Sequence, residues 1–127
     1  MLEHLRQRVI ETLASAKVAT LSTCGPADIQ ADVFPCESID TELYLSVPRT
    51  SDHWLNLENN PAVVITTPTW QLRGMAQILA PHEVPLQLSL LRTPDAAWEE
   101  VVRIDPIRLQ IRPCLESTYS ETIEFDR

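Results

Sequence analysis

Apolar residues near the start of the chain recur at intervals of three and four: Leu2, Leu5, Val9 and Leu13, with Glu3, Arg6, Arg8 and Glu11 elsewhere on the wheel. That period predicts an amphipathic helix. The period then drops to two. Val18 to Thr23 is a β-rich run and Gly25-Pro26 a turn; beyond it Ile29, Ala31 and Val33 share one face while Gln30, Asp32 and Phe34 share the other. Alternation on both sides of a turn predicts a hairpin. After Ser38-Ile39-Asp40-Thr41, a third strand alternates Leu43, Leu45 and Val47 with Tyr44 and Ser46.

The stretch VPRTSDHWLNLENNP, from Val47 to Pro61, leaves that strand through a turn with one arginine and two hydroxyls, then becomes a short helical pattern. Ala62 to Thr67 follows as an apolar strand of the buried kind. Pro68-Thr69 predicts a turn and Trp70 to Leu79 its hairpin partner, interrupted by Gly74, where glycine marks a bulge or a close backbone approach. Ile107 to Ile111 is the last predicted strand, alternating with Arg108 and Gln110. Between these, Thr93 as N-cap and Pro94 in the first turn predict a helix over 94–102, and a further helix is expected over 82–92. The sum is an N-terminal helix, about six mostly antiparallel strands and short connecting helices. Tight turns with a helix inserted after the third strand predict a mainly β protein, a small closed or nearly closed barrel in a single domain, 1–127.

Composition narrows the function. A formal charge of -8, with a single lysine (Lys17), lacks the basic face that nucleic acid requires, so no nucleic-acid partner is expected. No apolar run is long enough to span a membrane, and MLEHLRQRVIETL mixes charge with apolar residues unlike a signal peptide, so a cytoplasmic protein is expected. Cys24, Cys36 and Cys114 form no CxxC pair, and His4, His53 and His82 fall at no ligand spacing, so no metal is expected. Ser-His-Asp, paired-carboxylate and Walker motifs are missing, and no catalytic residue can be named.

The ordered set VATLSTCGPADIQADVFPC, ELYLSVPRTSDHWLNLENNPAVVITT and WQLRGMAQIL resembles the FMN-binding split β-barrel family that includes pyridoxamine 5′-phosphate oxidase and small flavin-binding relatives. The resemblance covers roughly residues 2 to 80, with a weaker echo at VVRIDPIRLQI. It implies a six-stranded antiparallel split barrel with peripheral helices, working as a homodimer with FMN in the groove between two barrels. By resemblance, Arg49, Thr50, Ser51 and His53 would hold the phosphate. The strand around Val33, Phe34 and Pro35 would lie along the ring, and Trp70 and Gln71 are looser analogues of ring contacts.

This sequence departs from the family at the phosphate turn. Where relatives commonly read Ser-Arg-Lys, it has Ser51, Asp52 and His53. Asp52 near a helix start complements the helix dipole but competes with a phosphate for the same N–H groups. The basic residues that hold the second phosphate in the true oxidase lie in a C-terminal extension, a region where this chain reads SETIEFDR, so pyridoxamine-phosphate oxidation is not expected. Three readings remain: a small FMN-dependent oxidoreductase that acts on a small molecule, a flavin-free split-barrel dimer that acts as a binding or interaction module, and, more weakly, a split barrel whose groove holds another cofactor such as deazaflavin or haem.

Overall fold

The structure is a computed structural model that describes residues 1–89, 99–112 and 120–125. Helix α1 (Glu3–Ala14) leads into β1 (Val18–Thr23), β2 (Gln30–Ile39) and β3 (Glu42–Pro48); α2 (His53–Asn59) then precedes β4 (Ala62–Thr66), β5 (Trp70–Ile78), β6 (Glu99–Ile111) and β7 (Glu121–Glu124). All pairings are antiparallel, in the order β3-β2-β1-β4-β5-β6-β7, and an additional β3–β6 ladder closes the first six strands into a barrel. No helix among the described residues is long and apolar enough to cross a membrane.

In β3 the inward face holds the alternating Leu43, Leu45 and Val47, and with Leu21, Ile65, Leu72, Ile104 and Leu109 they fill the barrel; burying each such side chain contributes about 1.5–3 kcal/mol. At the start of β2 the apolar set Ile29, Ala31 and Val33 is instead exposed. Val9 and Leu13, one turn apart on α1, are fully buried in the same core. Arg8 of α1 also reaches Glu121 of β7 at 3.3 Å.

Two regions differ from the sequence expectations. The 94–102 helix is not formed where the structure describes it: β6 runs unbroken from Glu99, pairing Pro48↔Glu99 through Leu43↔Ile104 with β3, and the remainder of that expected helix lies outside the described residues. A helix start at Thr93-Pro94 carries less weight than the barrel's need for a closing strand, since β3 without β6 leaves a row of unpaired backbone groups. Of the helix expected over 82–92, only a 3₁₀ turn at Pro81–Glu83 forms; residues 84–89 are irregular and 90–92 lie outside the described residues. The strand expected over Ile107 to Ile111 is therefore the end of β6, which is thirteen residues long rather than five, and β7 follows it. Pro106 sits inside it because β5 and β6 shift register at Gly74, a bulge where proline's missing N–H is tolerated.

Candidate functional site

β2 pairs with β1 along Gln30–Pro35, but β3 joins β2 only from Cys36 onward. Among the described residues no strand pairs with the other edge of β2 over the residues the resemblance assigned to a ligand, Val33, Phe34 and Pro35. Helix α2 stands beside this opening. Its approach is fixed by Trp54, whose indole N–H donates to the Pro48 carbonyl at 2.6 Å, and by Ser51, whose Oγ accepts from the His53 amide at 3.1 Å.

His53 is the central side chain of the opening, and it points inward at 1% exposure. Its Nε2 lies 2.9 Å from Asp32 Oδ2 and its Nδ1 2.8 Å from Thr23 Oγ1. The ring meets Phe34 edge-on, with centroids 5.3 Å apart. An ionised carboxylate can only accept, so Nε2 donates to Asp32, and in that tautomer Nδ1 accepts from the Thr23 hydroxyl. Thr23 Oγ1 in turn accepts from Asn56 Nδ2 at 3.0 Å. One directional chain therefore runs from fully buried Asn56 through Thr23 and His53 to Asp32, whose side chain is 59% exposed.

Asn56 does a second task. Its Oδ1 accepts from the Ala27 amide and its Nδ2 donates to the Asp28 carbonyl, both at 2.8 Å, so one side chain pins the loop between β1 and β2. Asp28 adopts a left-handed conformation (φ 61°), which a short polar side chain tolerates. The Asn60 amide ties the same loop down, donating to the Cys24 carbonyl at 3.1 Å.

The other expected residues are placed as follows. Arg49 is more than half exposed and faces Glu100 at 3.7 Å; Thr50 is exposed. Asp52 makes no side-chain cap. Trp70 is buried next to α1, in a recess shared with Arg8, Thr12 and Ser15, while Gln71 lies across the ladder from Gln110; neither is brought to α2. Among the described residues no group of His, Cys, Asp or Glu could hold a metal. Cys36 is buried beneath the sheet, and that burial pushes its thiol up to about 11, which suits an inert core residue.

No family model and no curated protein matches the sequence. Solved structures do. General stress protein 26 from Bacillus anthracis str. Sterne superposes with a TM-score of 0.70 at 18% identity, covering 96% of this chain and 99% of that one. A pyridoxamine 5′-phosphate oxidase candidate from Listeria innocua gives 0.62 at 14% identity, with 84% and 97% covered. The fold is the pyridoxamine 5′-phosphate oxidase-like split barrel. A heme binding protein from Mycobacterium smegmatis shares the split barrel at a TM-score of 0.70 and 14% identity, covering 98% of this chain and 59% of its own. At these identities the likeness concerns the fold.

Proposed function

We propose that the protein is a homodimeric split barrel that serves as a binding module, taking a small-molecule ligand along the free edge of β2 without a phosphate grip. The observation that carries this reading is the inward His53, with both ring nitrogens engaged by Thr23 and Asp32. A phosphate with nearly two negative charges needs forked cations and spare N–H donors. At this turn both ring nitrogens of His53 are engaged, Arg49 faces Glu100, and Asp32 and Asp52 present carboxylates. The residues present do not fit an FMN phosphate, and no redox step is assigned to the chain.

The dimer is supported by the outer face of the first hairpin. Val33 is 63% exposed and Val18 57%, and the register Val18↔Pro35 and Thr20↔Val33 puts them in one apolar patch beside the open edge. Exposed apolar patches of this kind mark interaction sites, and a twofold copy is the commonest way to cover one. Sedimentation at micromolar concentration is expected to give a dimer for the parent. Val33→Glu, which puts a charge into the covered patch, is expected to give a monomer with an unchanged far-UV spectrum. A parent that sediments as a monomer overturns the dimer.

A second reading, a small FMN-dependent oxidoreductase, is favoured by one observation: Arg49 and Thr50 remain exposed at the turn. The Arg49–Glu100 pair is a surface contact worth at most about 1 kcal/mol, so the guanidinium can be recruited.

A further inference from the structure

A second concavity lies past the C-terminal end of α2, on the far side of Thr23 from His53, with Thr23 and the α2 C-cap Asn60 on its rim. It is an open groove of about 360 Å³ where the end of β1, strands β4 and β5 and the middle of β6 meet. That volume is within the usual range of small-molecule sites, roughly 300–1,000 Å³. Its walls are mostly apolar, with Ile29, Ala62, Val64 and Ile107 beside Thr23 and Asn60, and among the described residues Arg73 is the only charged one that lines it.

Arg73 combines a missing carboxylate partner, which Arg112 also lacks among the described residues, with an arginine directly across the ladder. Arg6, Arg8, Arg49, Arg103 and Arg108 each have a carboxylate partner. Arg73 is exposed and has none among the described residues, in a chain with 18 acidic and 10 basic residues. It also stands directly across the β5–β6 ladder from Arg108, and Glu124 at 3.2 Å from Arg108 is the pair's one carboxylate partner. Like charges in direct cross-strand opposition repel. An anion beside Arg73 relieves that repulsion, while the groove walls remove apolar surface from water.

We propose that this groove binds an amphipathic monocarboxylate, with the carboxylate on Arg73 and the apolar chain along Ile29, Val64 and Ile107. A dianion lacks a second cation inside the groove, and a neutral apolar molecule leaves the Arg73–Arg108 repulsion in place. The inference goes beyond the site at β2 and does not depend on it.

Cys24 provides the readout, since its exposed thiol lies on the groove and Cys36 is buried. The rate of Cys24 alkylation by iodoacetamide is measured by peptide mass spectrometry on the full chain, with decanoate as the probe. Decanoate is expected to slow alkylation at least fivefold, and decanol much less at equal concentration. Arg73→Gln is expected to require at least tenfold more decanoate, and Arg73→Lys to retain most of the protection. Arg112→Gln, the control at another arginine without a carboxylate partner among the described residues, is expected to behave as the parent. The proposal is overturned if millimolar decanoate leaves the rate unchanged, or if Arg73→Gln is protected as well as the parent. Protection that follows protein concentration rather than decanoate also overturns it, because the groove is then covered by a second copy.

Discussion

Replacing Gly74 with alanine is expected to destabilise the barrel by about 3 kcal/mol, the upper end of what overpacking costs. A Cβ at this position would stand 2.6 Å from Ile104 Cγ2 and 2.7 Å from the Asp105 carbonyl oxygen. Neither neighbour can yield cheaply. Ile104 is fully buried in the core, and the Asp105 oxygen belongs to the backbone of β6, so relief requires the β5–β6 ladder to part. This is the ladder that carries the bulge and holds β6 in place to pair with β3, so the strain falls on barrel closure. Urea unfolding of the parent and of Gly74→Ala measures it; a loss below about 1 kcal/mol would mean the two strands are not so closely apposed.

Asn56→Ala is expected to cost about 3 kcal/mol as well, for a different reason. The side chain is fully buried and makes three hydrogen bonds, to the Ala27 amide, the Asp28 carbonyl and Thr23 Oγ1. Leaving a buried donor or acceptor unpaired costs about 1–3 kcal/mol, and water reaches these groups only in part. Exchange of the Ala27 amide proton is expected to accelerate more than that of amides in β4, because the loop is released before the barrel opens. Asn59→Ala, three residues along the same helix, is the contrast. Its amide donates only to the Leu55 carbonyl at an exposed position, and the change is expected to stay within about 0.5 kcal/mol. Equal losses at the two positions would remove Asn56 from its role in the network.

The contrast between Asn56 and Asn59 also marks how far the sequence could be read. Alternation showed that Asp32 and Phe34 share a face of β2, and it showed Val18 to Thr23 as a strand. That Thr23, Asp32 and His53 converge depends on the hairpin register, Leu21↔Asp32, and on the angle at which α2 crosses the opening. Neither is written in any local pattern. The turn at Arg49 to His53 was legible as a place, since it follows a strand and precedes a helix, but the direction of the histidine was not. β7 had a signal that went unused: Ile123 alternates with Thr122 and Glu124, and Ile123 is buried in the core. Over 99–102 the expected helix gave way to β6 because the local helix start at Thr93-Pro94 carries no information about pairing with β3. Barrel closure is a nonlocal requirement, and it overrode that local signal.

The central claim is that the internal chain ending at Asp32 has replaced a phosphate grip, and comparing FMN with riboflavin isolates the phosphate. Both are titrated into the purified protein under identical conditions, with binding read from quenching of flavin fluorescence. The expected result is that FMN binds no more tightly than riboflavin, whatever the affinity of either. If FMN binds at least tenfold more tightly and Arg49→Ala removes that advantage, the phosphate grip is present at this turn and the claim is contradicted.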